Sequence, residues 1–184
     1  MSGPVRGPWR AVAAAMAVSA AAVLTWPLQV LAAELVPGAP APAWSLQDQH
    51  DRPAVPSPAT RWIVFSAEKR VSDMVAAVLT EAGPAALAPL HLYAVADISA
   101  MPSLVTRLVA LPRLRELPFA LALVRDSAQQ AQLADLPRRP GQATVLRLHE
   151  GRVAQVHGVA DAAALRALLG LPAVPVLPAP TGRP

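Results

Sequence analysis

Cysteine is absent from all 184 residues, and this removes disulfides, thiol catalysis, thiolate metal sites and iron–sulfur clusters together. Charge is scarce, at 15% of residues against 54% apolar, which excludes a disordered polyelectrolyte or a charge-laced coiled coil. Lysine occurs once, at Lys69, so every other basic residue is arginine. The nine glycines build no G-x-G-x-x-G turn, and nothing points to a flavin or any other bound cofactor. The formal charge is only +4, and two of those charges, Arg6 and Arg10, precede every acidic residue. If a leader carries them away, the remaining positive charge is too weak for a nucleic-acid binder.

The first 32 residues follow the secretory pattern. A basic stretch holding Arg6 and Arg10 leads into an apolar run from Ala11 to Leu24, broken only by Ser19. As a helix that run spans ~21 Å, short of the ~30 Å hydrocarbon core. Pro27 then breaks it, and Val30-Leu31-Ala32 offers small residues for cleavage after Ala32, with Ala33 as the rival and an uncleaved anchor as the alternative. The pattern predicts a Sec-type signal peptide (1–32), a periplasmic location and no stable membrane span once the leader is removed.

Residues 33–60 read as a Pro-rich lead-in, with a short edge strand at Trp44-Ser45-Leu46 and a turn over Asp48 to Asp51. Arg61 to Ser66 reads as a buried strand. A helix follows over Asp73 to Ala82, capped by Ser72 or a neighbour, with Met74, Val75, Val78 and Leu79 on its packed face and Gly83-Pro84 ending it. Leu90 to Ile98 is a second strand. Pro102 suits the start of a helix to Leu111 that packs Leu104, Val105, Leu108 and Val109. Phe119 to Arg125 is a third strand and Ser127 to Leu136 a weak helix. Ala143 to His149 and Arg152 to His157 form a hairpin across Glu150-Gly151. Asp161 caps a last helix carrying Ala164, Leu165, Leu168 and Leu169. Residues 171–184, with five prolines, form a tail without expected helix or sheet. The order predicts an α/β sandwich, its central sheet covered on both faces.

Three stretches carry a resemblance. Gly38-Ala39-Pro40-Ala41-Pro42-Ala43-Trp44-Ser45-Leu46-Gln47-Asp48 resembles a G-x-x-A-P-x-F-x-L-x-D motif. Leu117-Pro118-Phe119 with Arg125-Asp126 resembles the strand before an extra helix, and Thr144 through Glu150-Gly151 to Gly158 resembles a closing hairpin. Together they are similar to the thioredoxin-like fold, in its peroxiredoxin and periplasmic thiol-reductase branch, over residues 36–170. The resemblance implies a three-layer sandwich with a central mixed sheet, a closing hairpin and a C-terminal helix over residues 61–170. It also implies a redox site, and there the chain departs. Arg70 and Asp73 stand where two cysteines would sit, and Gln142, with Pro140 two residues early, replaces the proline expected before the hairpin strand. Asp97-Ile98-Ser99-Ala100-Met101-Pro102 resembles a narrower group of Cys-poor exported proteins, some of which carry a flavin-dehydrogenase assignment that this sequence does not support.

The remaining candidates each have a plain alternative. Ser66 and Lys69 match S-x-x-K, but acyl transfer of that kind needs a later K-T-G, and this chain has no second lysine. His149 and His157 fall ~16 Å apart on a hairpin at ~3.3 Å per residue, too far for one metal ion. His50 with Asp48 and Asp51 is a weak surface cluster, and no metal site is expected. Arg107, Arg113, Arg115, Arg138 and Arg139 form either a basic rim or solvated surface. Ser66, Lys69, Arg70, Asp73, Asp97, Ser99 and Gln142 make the candidate ligand or partner surface, because loops after parallel strands gather ligands there. The leading expectation is an exported, redox-inactive module that binds an extracytoplasmic protein and has no catalytic residue of its own. A flat apolar patch near Trp44 or Trp62 would favour it. The alternative is a non-thiol enzyme or small anionic-ligand binder, with Asp73 or Asp97 as acid or base and Arg70 as anion clamp, signalled by a raised carboxylate pKa.

Overall fold

Runs rich in Val, Ile, Leu and aromatic residues, bounded by turn formers, make the strands. The computed structural model describes residues 34–172; the leader, both cleavage sites and the tail beyond Pro172 lie outside these residues. Seven strands form one sheet: β1 (Leu46–Asp48), β2 (Pro53–Ala54), β3 (Trp62–Ser66), β4 (Leu92–Asp97), β5 (Leu121–Val124), β6 (Ala143–His149) and β7 (Arg152–Val159). Their order is β2-β1-β5-β4-β3-β6-β7. β3 pairs in parallel with β4, and β4 with β5, while β1, β6 and β7 join antiparallel. The sheet is mixed.

Two successive parallel steps in one direction put their crossover segments on the same face, by the right-handed rule. These segments are α1 (Lys69–Leu87) and the helical run of α2 (Ser103–Val105), a π-helical turn (Thr106–Ala110) and α3 (Leu111–Arg115). α5 (Ala162–Leu169) shares this face, where Val64, Val75, Leu79, Leu123, Leu165 and Leu169 pack together. α4 (Ser127–Gln132) lies on the far side of the sheet, where Ile63, Phe65 and Leu146 pack with Leu133 and Leu136. The Pro-rich lead-in completes that second core with buried Leu35, Trp44 and Leu46.

Several expectations need correction. The edge strand falls at Leu46–Asp48 rather than Trp44–Leu46, and Trp44 is a core residue, not part of a surface patch. α1 begins at Lys69, and Ser72 is not its cap, because the Ser72 hydroxyl donates instead to Ser66 Oγ at 2.9 Å. Gly83, at φ 74 and ψ 164, does break α1, but Pro84 restarts it for another turn. Leu104, Val105, Leu108 and Val109 are not packed: they stand 70%, 45%, 73% and 48% exposed. The run is apolar on two stripes, and the core takes the other one, through Leu111 and Leu114. A π turn is wider than an α turn and rotates the following residues away from the preceding face. Leu171, assigned by sequence to the tail, is buried against the α5 side of the core.

The hairpin and last helix follow their sequence signals. His149 pairs with Arg152 across Glu150 (φ 49) and Gly151 (φ 71), the two positive φ angles of a type I′ turn. Asp161 Oδ1 accepts the Ala164 N–H at 2.8 Å and caps α5.

Candidate functional site

The loops at the carboxyl ends of β3 and β4, with the loop leading into β6, hold most of the candidate residues. Asp97 closes β4 with its side chain almost fully buried. Its Oδ1 accepts the Ser99 N–H at 3.0 Å and the Ser99 hydroxyl at 2.6 Å; its Oδ2 accepts from Gln130 at 3.1 Å and Arg138 at 3.0 Å. Burial alone would raise this carboxyl, but the donors from Ser99, Gln130 and Arg138 outweigh it and hold Asp97 below the usual carboxylate range. The Arg138 guanidinium also lies 5.1 Å from the centroid of the Phe65 ring.

Neighbouring groups close the same end. Glu68 Oε1 accepts the Gly141 N–H at 2.8 Å, tying the 137–141 loop to the start of α1. The Thr144 hydroxyl donates to the Pro137 carbonyl. A shallow cavity of about 140 Å³ remains between Phe65, Glu68, Arg138, Gln142 and Thr144.

The candidates divide among several local environments. Asp97 and Ser99 share one network. Ser66 is buried, with its hydroxyl accepting from Ser72. Lys69 pairs with Asp73 one turn along α1, both well exposed, while Ser66 bonds Ser72 instead. The Arg70 side chain makes no hydrogen bond among the described residues. Gln142 borders the small cavity and occupies the space beside Gly158, where a Cβ would lie 2.1 Å from its Oε1.

Solved structures give the comparison. A peroxiredoxin-like protein from Aquifex aeolicus superposes with a TM-score of 0.50 at 12% identity, covering 74% of this chain and 87% of that one. A thio-disulfide isomerase from Thermus thermophilus gives a TM-score of 0.45 at 22% identity, covering 76% of this chain and 100% of that one. With the sheet order above, the first of these decides the architecture. The fold is thioredoxin-like. No protein-family model and no curated protein matches the chain.

Within a thioredoxin-like fold that holds no cysteine, thiol–disulfide exchange and thiol peroxidase chemistry are excluded outright. The polar residues at the strand ends satisfy one another instead. Asp97 has donors on both oxygens, so this geometry fixes a charge and ties the loop after β4 to α4 and to the loop before β6. A carboxyl held below its usual range is a poor proton donor at neutral pH, so Asp97 does not suit the acid role. The carboxyl that burial raises is Asp135, in the turn after α4, whose Oδ1 is buried without a partner.

The surface arginines and acids also separate. Arg115 and Arg138 are engaged within the molecule, while Arg107 and Arg113 make no side-chain bond among the described residues. Asp48 and Asp51, read beside His50 as a weak cluster, take Arg52 and Arg115 with Arg125 respectively. Among the described residues no group of three or more metal-binding side chains occurs.

Sequence reasoning missed Gln49, Gln130 and Arg125. Gln49 is buried, donating to the Phe119 carbonyl at 2.7 Å and accepting the Leu121 N–H at 2.8 Å. Arg125 donates to Asp51 at 2.6 Å and to the Asp48 carbonyl at 2.9 Å. No local signal marked Gln49, because it lies in the polar run Gln47 to Arg52 and is buried only by the fold. For Arg125 there was none either, because its partners lie more than seventy residues away.

Proposed function

We propose that this chain is an exported, redox-inactive thioredoxin-like module that binds an extracytoplasmic protein through the helical run 103–115. The observation carrying this reading is the exposed aliphatic row Leu104, Val105, Leu108 and Val109. Aliphatic side chains clustered on one exposed helix face mark a contact surface more strongly than scattered ones do. The π turn beneath them favours the same reading, since such turns recur at functional positions. No acidic residue lies between Asp97 and Glu116, whereas Arg107 and Arg113 flank the row. The partner should therefore present an apolar surface rimmed by carboxylates. The secretory pattern of residues 1–32 supports the compartment, with a periplasm as the simplest one.

Photo-cross-linking from positions 104 and 108 of the chain in its native compartment, with position 163 on α5 as control, tests the reading. One captured protein, rebound after purification and weakened about tenfold or more by Leu108→Glu, supports it. Capture equal to that at position 163, a purified partner indifferent to Leu108→Glu, or cross-linking only to further copies of this chain would overturn it.

A further inference from the structure

A second cleft, of about 800 Å³, opens at the other end of the sheet from Asp97, where β3 begins and the β6–β7 hairpin turns. Its volume falls in the ~300–1,000 Å³ range of small-molecule sites. Trp62 lies in its wall, and the Arg147 guanidinium sits 5.7 Å from the indole centroid. The two residues are register partners on β3 and β6, so backbone pairing sets the stacking. Arg147 has no carboxylate partner among the described residues, and neither does Arg61 beside it. The one acid in the lining, Glu150, lies 3.9 Å from His149.

Two backbone irregularities meet at the same place. The β6–β7 register shifts by one residue here, since Arg147 pairs with Gln155 but Leu148 with Val153, leaving Ala154 of β7 as the extra residue; such a shift re-aims neighbouring side chains. His91, another lining residue, holds a left-handed φ of 45, which a non-glycine residue adopts at some cost. Its carbonyl accepts the Arg61 N–H at 3.0 Å, so the strained residue is tied to the cleft.

We infer that this cleft binds a carboxylated saccharide, a uronate-bearing oligosaccharide. The stacked Arg147 fork meets the carboxylate in a bidentate manner. The exposed part of the indole takes the face of the sugar ring, and Gln155 and the two imidazoles meet hydroxyl groups. An apolar ligand does not suit the cleft, because it would bury Arg147 without a counter-charge. This site is separate from the aliphatic helix row and does not depend on it.

Titration calorimetry of the full chain with tetragalacturonate, followed in parallel by tryptophan fluorescence, tests the inference. The expected result is saturable binding at about 1 mM or tighter, weakened by added salt. Arg147→Ala should weaken it about 10- to 100-fold, and Arg147→Lys should also weaken it because the planar fork is lost. Trp62→Phe should remove the fluorescence change, and Leu108→Glu should leave binding intact. Gln155→Ala, an exposed change, keeps the test alive if Arg147→Ala lowers the melting temperature. No heat at several times that concentration, equal binding of a neutral tetrasaccharide, full competition by inorganic phosphate, or binding indifferent to both Arg147→Ala and Gln155→Ala would overturn it.

Discussion

Two aspartates on this chain carry opposite electrostatic histories. Asp97 gains four hydrogen bonds on folding, and its carboxyl sits below the usual range. A depressed folded pKa stabilises the protein above the unfolded value, ~3.9, and that contribution is lost as pH falls through the folded value. Asp97→Asn should therefore cost ~1–3 kcal/mol at pH 7, with the gap to the parent closing below about pH 4. Asp135 is the reverse case, because burial raises its carboxyl and Oδ1 has no partner. Its ionisation opposes folding above ~3.9 and costs nothing below it. Asp135→Asn should raise the urea midpoint at pH 7 and leave it unchanged near pH 3. Midpoints of the three proteins at both pH values check the two signs together. A loss for Asp135→Asn at pH 7 would mean that the carboxylate has a role in holding the turn.

The helical run 103–115 shows what periodicity can and cannot decide. Apolar pattern correctly announced β3 and a helix after Pro102, while turn and cap residues located the hairpin and the Asp161 cap. It could not choose between two apolar stripes on one helix, because that choice depends on where Leu117 and Phe119 fall once β5 is in place. Both residues pack against the same core as Leu111 and Leu114. The strand-end network was half legible for a similar reason. Asp97 and Ser99 are neighbours in sequence, but Gln130 and Arg138 reach them from 33 and 41 residues away. The two stripes also differ energetically. Leu114→Ala, on the packed stripe, should cost about 2 kcal/mol, whereas Leu108→Glu should change stability by no more than about 0.5 kcal/mol. Thermal unfolding of the two variants separates them, and a large loss for Leu108→Glu would contradict the exposure of that face.

Across the described residues, the two edges of the sheet are managed differently. At one end β2 is only two residues long and starts at Pro53, which cannot donate to another strand. At the other, β7 is eight residues long, and the lead-in segment lies across its start. The Gly38 N–H donates to the Val153 carbonyl, the Val153 N–H to Ala39, and the Ala41 N–H to Gly151, each at 2.8 Å. The same segment buries Leu35 against Leu133 and Leu136, and the Leu35 N–H donates to the Asp135 carbonyl at 2.6 Å. It therefore both fills the core beneath α4 and covers part of a sheet edge. Deleting residues 34–41 from the full chain should remove the burial of Leu35, ~1.5–3 kcal/mol, and also expose backbone donors and acceptors able to pair with another chain. Leu35→Ala removes the first contribution and keeps the second. Urea unfolding should show both variants destabilised, while light scattering should show concentration-dependent association for the deletion alone. Association of Leu35→Ala to the same extent would assign the effect to lost stability and leave the edge without a protective role.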